Sequence, residues 1–278
     1  MAELNVPFRV PVSVMIPTRR LALLILATPL LACGRPFELK HYPQAESLYT
    51  ASLREFQQEH WDNAILGFEK LTMELPARDT LLSRSHYYLG RAHQKKKEHL
   101  LAAQSFSRLT ESFPDDTLAD DALFEAGRSY AKMWRRPTLD AQYGQTAVST
   151  YRTLLALYPN SALRVDTERA IARLEEMMAT KDYETGMYYI RRKYYEPAIL
   201  YFRDVIQKFP NTNKARMSYV RLARAFRAIR YRDDLRETCQ SARELYPQDA
   251  VIQEACADIP RGEQPAPAAP SDTTARIP

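Results

Sequence analysis

Four alanines in this chain are each followed by the same pair of landmarks. Ala64, Ala102, Ala147 and Ala198 have an aromatic four residues on (Phe68, Phe106, Tyr151, Phe202) and a proline twelve residues on (Pro76, Pro114, Pro159, Pro210). With 10% aromatics and 18 prolines in 278 residues, a given alanine meets both conditions by accident roughly 0.6% of the time. Four coincidences are excluded, and a repeated structural unit remains. Residues four apart share one face of a helix, so the alanine lets a second helix approach while the ring packs beside it. The proline has no N–H to donate and stops the helix. The unit is therefore a helical hairpin. Gly90 and Gly186 stand twelve residues before their alanines, at a second point where a side chain would hold two helices apart. Gly127 stands twenty before Ala147, which places an eight-residue insertion in the third hairpin, around residues 137–144.

These landmarks resemble the tetratricopeptide pattern of small residues, an aromatic and a closing proline. The fold class expected is all-α, a tetratricopeptide-like solenoid of about five hairpins near residues 45–77, 83–116, 120–160, 179–211 and 216–248. The first hairpin has Ser52 at the glycine position, and the fifth keeps Pro247 but has Leu235 and Cys239 in place of the alanine and the aromatic. Terminal repeats depart from consensus because one face lacks a neighbour. Repeats one to three thus occupy 45–161. Within 162–259 lie an extra or extended helix, marked by Leu163, Ile171, Leu174 and Met178 at helical spacing, then repeats four and five and a short cap near 249–258. Residues 260–278 form a Pro/Ala-rich tail with too little apolar surface to order.

The N-terminus reads as an address. Arg19 and Arg20 precede an apolar run from Leu21 to Leu31, and Ala32, Cys33 and Gly34 follow. The run is well short of the roughly twenty residues that span a bilayer, so 1–32 reads as an export signal, with Met15 an alternative start. Leu30-Leu31-Ala32-Cys33 resembles the bacterial lipobox, in which the cysteine is lipidated and becomes the mature N-terminus. Acyl chains on Cys33 would anchor the chain without a spanning helix. Residues 33–44 are then the lipidated cysteine and an extended tether, and Gly34 after the cysteine goes, by resemblance, with the outer membrane.

Composition narrows the chemistry. Only 7 residues are glycine, and no P-loop, GxSxG, HExxH or CxxC motif is present. No catalytic residue, metal site or cofactor is expected. His86 and His93, two turns apart, suit repeat packing better than metal binding, and Asp115, Asp116, Asp120 and Asp121 flank a helix start, where the dipole favours carboxylates. The formal charge is +5, of which Arg9, Arg19 and Arg20 against Glu3 place +2 in the leader. The mildly basic remainder does not call for nucleic acid, since clusters such as Lys95-Lys96-Lys97 read as solvated surface. Cys239 and Cys256 would meet an oxidising compartment, and whether they pair is left open by the sequence.

In a tetratricopeptide superhelix the first helix of each hairpin lines a groove. The register gives Glu46, Tyr49, Leu53, Phe56 and Gln57 to the first hairpin, and Arg84, Tyr87, Arg91, Gln94 and Lys95 to the second. The third offers Asp121, Phe124, Arg128, Ala131 and Lys132. Guanidinium groups bind carboxylates through paired hydrogen bonds, and aromatics offer rigid apolar area, so this floor suits an extended peptide with a free C-terminus.

A lipobox cysteine, a short tether, five hairpins with an insertion in the third, and an added helix after Tyr158-Pro159-Asn160-Ser161 together resemble the BamD family. Tyr188-Tyr189 and Phe209-Pro210-Asn211-Thr212 add to the likeness, which covers about residues 33–250. The resemblance implies a periplasmic adaptor of outer-membrane β-barrel assembly, with partners of two kinds. N-terminal hairpins would bind the C-terminal segments of unfolded outer-membrane proteins. C-terminal hairpins would dock on a POTRA domain of the barrel-forming partner BamA, where Arg191, Arg224 and Arg227 hold corresponding inward positions. The other reading is a tetratricopeptide lipoprotein of a different envelope pathway, such as a secretin pilotin or a cell-division coordinator.

Overall fold

The computed structural model describes residues 37–260; the expected leader, Cys33 and nearly all of the expected tail lie outside the described residues. These fall into two units. The first, which ends at His41, contains one 3-10 turn, Leu39–His41. That turn interrupts the extended tether expected for this stretch. The second unit, from Tyr42, contains eleven α-helices and, among the described residues, no strand.

Ten of the helices form five hairpins. They are α1 (Ala45–Gln57) with α2 (Trp61–Glu74), α3 (Thr80–Lys95) with α4 (His99–Ser112), and α5 (Ala119–Met133) with α6 (Gln142–Leu157). The fourth pairs α7 (Arg164–Arg191) with α8 (Tyr195–Lys208), and the fifth pairs α9 (Asn213–Ile229) with α10 (Arg232–Leu245). α11 (Ala250–Ala255) follows as the expected cap. Each helix packs on the next, and first helices of successive hairpins also meet, α1 on α3 and α7 on α9. This is the stacking of a tetratricopeptide solenoid.

The repeated landmarks are its core. Ala64, Ala102, Ala147 and Ala198 are fully buried, as are Phe68, Phe106, Tyr151 and Phe202. The residue before each proline cannot stay helical, because the pyrrolidine ring clashes with it. Leu75, Phe113, Tyr158, Phe209 and Tyr246 accordingly end α2, α4, α6, α8 and α10. At the next helix start, Asp79, Thr212 and Asp249 accept bonds from backbone N–H groups that the helix leaves unpaired.

Three departures from the repeat have physical causes. The segment after Pro159 is not a separate helix: it continues without a break into the first helix of the fourth hairpin, giving a 28-residue α7. No glycine or proline interrupts it before Gly186. The insertion is the loop 134–141, and Gly144 lies inside α6, where a β-carbon would come within 2.3 Å of the buried Trp134 ring. In the fifth hairpin Cys239, at the aromatic position, is joined by a disulfide to Cys256, just beyond α11. Arg243 donates to the carbonyls of Cys256 and Ile259, and Arg227 to that of Ala255, so two guanidinium groups cap the C-terminal end of α11.

Candidate functional site

The faces of α3 and α5 bring five of the expected groove residues together. Arg91, Gln94, Lys95, Arg128 and Lys132 line a depression of about 250 Å³, with His99 of α4 completing it. α3 supplies its cations from positions 91 and 95, one turn apart, and α5 supplies 128 and 132 at the same spacing, so both pairs face the gap between the helices.

Gln94 is not offered to a ligand. Its Nε2 donates to the Glu125 carboxylate at 2.7 Å and to the Ser129 hydroxyl at 2.9 Å, tying α3 to α5. The Glu125 side chain is 11% exposed and also pairs with Arg128 at 3.0 Å. A buried carboxylate under four cations sets the charge of the floor, and the spacing rule passed over it because Glu125 falls between the inward-facing positions. Arg91 donates to the Tyr87 hydroxyl at 3.3 Å and lies against its ring, while Lys95 lies over Trp61. Arg84 is exposed on the same helix.

Three of the aromatics of the expected floor pack between the two helices of their own hairpin, and Phe56 packs on the next hairpin. Tyr49 meets Phe68 edge-on at 5.9 Å, Phe56 meets Tyr88 at 5.5 Å, Tyr87 meets Phe106 at 5.7 Å and Phe124 lies 5.7 Å from Tyr151. All four are part-buried, so they contribute flanks to the groove and the bulk of their area to packing within the stack.

Charge in the depression is uneven. Burial holds the His99 imidazole below its ordinary pKa, and Lys132, Arg135 and Lys97 push it the same way. Asp121, at the rim, is raised by burial and by Asp120 and Glu125, with Arg91 opposing. The site therefore offers fixed cations, a neutral imidazole and one buried carboxylate. Four cations against one carboxylate give the depression a net positive field. Among the described residues no group of three or more His, Cys, Asp or Glu is placed to hold a metal.

The expected partner-docking residues divide. Arg191 and Arg224 are exposed on α7 and α9. Arg227 is turned inward on the chain itself, bonded to Asp258 through two nitrogens and to the Ala255 carbonyl, which holds the Asp258 carboxyl below its usual range.

The family model described as YfiO, outer membrane lipoprotein, matches residues 42–241. The chain belongs to this family. The match begins where the second unit begins and ends within α10, so it takes in the groove and most of the stack. The YfiO family chain is 21% identical over 217 residues to the outer membrane protein assembly factor BamD of Caulobacter vibrioides, covering 77% of this chain and 71% of that one. It is 24% identical over 203 residues to BamD of Vibrio cholerae, covering 69% and 84% respectively. A TPR repeats protein from Bacteroides fragilis of solved structure is 13% identical, with 77% and 96% covered and a TM-score of 0.47.

Proposed function

We propose that this protein is an adaptor of outer-membrane β-barrel assembly, anchored at the periplasmic face of the outer membrane through lipid on Cys33. Membership of an outer membrane lipoprotein family and likeness to assembly factors named BamD support a role in outer membrane protein assembly. In this reading the first three hairpins receive the C-terminal segment of an unfolded outer-membrane protein. The exposed Arg191 and Arg224 of the later hairpins face a BamA-like POTRA domain.

The observation that carries the first part is the cluster of Arg91, Lys95, Arg128 and Lys132 around one depression. A terminal carboxylate is the smallest peptide group that would satisfy them, and the part-buried Tyr87 and Phe124 beside them suit an aromatic side chain. The test is binding of a peptide that ends in an aromatic residue with a free carboxylate. Arg91→Glu with Arg128→Glu should weaken it at least about tenfold, more at low salt than at high. Affinity unchanged at both salt concentrations would sink the groove assignment. The docking half is tested separately by co-purification from detergent with wild type and with Arg191→Glu and Arg224→Glu. Recovery of a secretin or division protein, and never a POTRA-containing barrel, would replace this reading.

A further inference from the structure

The two long edges of the hairpin stack differ in charge. One edge is made of the turns inside each hairpin, the other of the proline turns between hairpins. From the second hairpin to the fifth, every turn of the first kind carries or adjoins a pair of cations, Lys96 with Lys97, Arg135 with Arg136, Arg192 with Lys193, and Arg230 with Arg232 at the start of α10, against the acids Glu98 and Asp140. Lys96 is spent on Asp62 and Glu98. Lys97, both arginines of the third turn, and the cations of the fourth and fifth turns are exposed. Of the acids beside the last two turns, Asp233 pairs with Arg236, Asp234 with Arg203, and the exposed Glu196 accepts from the Tyr231 hydroxyl. The opposite edge carries Asp79, Asp115, Asp116 and Asp249 against Arg78.

Large apolar side chains are left in solvent beside the proline turns as well, Met73, Leu157 and Leu245 among them, but on the basic edge they lie among the cations and include tyrosines. Tyr194 and Tyr231 occupy the same turn position in adjacent hairpins, each with its N–H bonded to a carbonyl five residues back, and they are 60% and 47% exposed. Tyr188, 45% exposed, lies flat under the Arg192 guanidinium at 3.6 Å. In the second and third hairpins Leu100, Leu101 and Tyr143 flank a depression of about 430 Å³ whose cations are Lys97, Lys132 and Arg135. Tyr231 turns one face to the core ring of Phe226 and Tyr188 meets Tyr189, and the rest of each ring is left in solvent. None of the described helices is long and apolar enough to cross a membrane.

We infer that this edge rests on an anionic phospholipid surface, its cations on headgroup phosphates and its tyrosines and leucines at the headgroup boundary. Tyrosines and cations interleaved at exposed tips match the interface of a bilayer, where one end of each ring is wet and the other apolar. A row of cations along one edge adds attraction to an anionic leaflet, and the acidic opposite edge sets the orientation. A member of an outer membrane lipoprotein family has such a surface within reach. Lys132 and His99 border both this edge and the groove, but the fourth and fifth turns lie on other hairpins, so the assignment holds whatever the groove binds.

The experiment uses the chain from residue 34 onward, so that neither leader nor acyl chain contributes. Its co-sedimentation is measured with vesicles of phosphatidylethanolamine containing about one quarter phosphatidylglycerol, and with pure phosphatidylcholine. Binding to the anionic vesicles is expected, weakened by salt, and reduced about tenfold or more by Arg192→Glu, Lys193→Glu and Arg230→Glu combined. Tyr194→Ala with Tyr231→Ala should reduce it with salt dependence unchanged. Arg91→Glu with Arg128→Glu in the groove should leave it alone, which separates this surface from the peptide site. Each variant is first shown to keep wild-type helicity. Equal binding to both vesicle types, no binding to either, or loss through the groove substitutions alone would overturn the assignment. So would capture of soluble heparin without capture of vesicles.

Discussion

The ring of Phe106 occupies the space that a β-carbon on Gly90 would need, with ring carbons 2.8 Å from that position. The same relation joins Gly127 to Tyr151 and Gly186 to Phe202. The repeated glycine is thus a seat for the repeated ring, and two landmarks sixteen residues apart, or twenty-four across the insertion of the third hairpin, are one contact. Because Phe106 is fully buried, it has nowhere to move. Gly90→Ala gains up to about 1 kcal/mol of helix propensity but forces overpacking that costs about 1 to 3 kcal/mol. The expected net result is a lower denaturant midpoint for the N-terminal hairpins, and a larger loss for Gly90→Val. A stabilised Gly90→Ala protein would mean that the ring yields freely.

At the other end of the stack the ring is missing. Cys239, fully buried, takes its place and is tied to Cys256, seventeen residues on. Closing a loop of that size contributes about 3 kcal/mol. Reduction, or Cys256→Ser, should release α11 and raise amide exchange over residues 250–259 while the first three hairpins keep their protection. Loss of protection throughout the stack would instead show that the cap supports every repeat.

How far the sequence led depended on whether a residue's role was periodic. Ala147 and Tyr151 announced a hairpin because the repeat imposes the same packing four times over. The 28-residue α7 was only half legible: Leu174 and Met178 gave its helical spacing, but nothing in a 3.6-residue period tells two helices from one unless a breaker stands between them. The groove cations at 91, 95, 128 and 132 followed from the register, since surface position depends on backbone geometry alone. What each side chain does there depends on neighbours from other hairpins. Hence Gln94 reads as available in the sequence although Glu125 and Ser129 hold it, and Arg227, at an inward position, reads as open to a partner although Asp258 and the Ala255 carbonyl hold it.

His86 makes the stack acid-sensitive. It is 7% exposed, its Nδ1 has no hydrogen-bond partner, and its pKa is lowered to about 4 by burial, with Arg108 adding to the effect. A histidine whose folded pKa lies below its unfolded value gives stability that is whole above the unfolded pKa, near 6.5, and is lost as pH falls towards the folded one. Between pH values of about 7.5 and 4.5 the expected loss is about 2 kcal/mol, allowing for solvent screening. His86→Leu should flatten that part of the stability profile measured by urea unfolding. An unchanged slope would assign the acid sensitivity to other groups.

Four of the five hairpins turn through a residue with positive φ, and none of the four is glycine: Glu59, Lys97, Lys193 and Arg230, at 64°, 64°, 61° and 65°. A β-carbon in this region costs about 1 kcal/mol or more, which glycine avoids at some expense in unfolded-chain entropy. Lys193→Gly should raise stability by about 0.5 kcal/mol. It should also weaken binding to anionic vesicles, because it removes an exposed cation from the basic edge. Thermal unfolding and co-sedimentation on the same protein read the two effects separately.

The buried carboxylate of Glu125 restrains the groove. It holds Arg128 at 3.0 Å and accepts from Gln94 at 2.7 Å, so part of the cationic field is neutralised from beneath before any ligand arrives. Glu125→Gln keeps the shape and an amide oxygen for the Gln94 bond but removes the charge. The loss of one charge-assisted hydrogen bond costs about 1 kcal/mol of stability. With Arg128 released, a peptide carboxylate should bind about threefold tighter, the gain shrinking as salt is raised. Isothermal titration with an amidated control peptide isolates the carboxylate contribution. If the amidated and free peptides gain equally, the groove reads the peptide backbone and side chains, and the arginines serve only to hold α3 against α5.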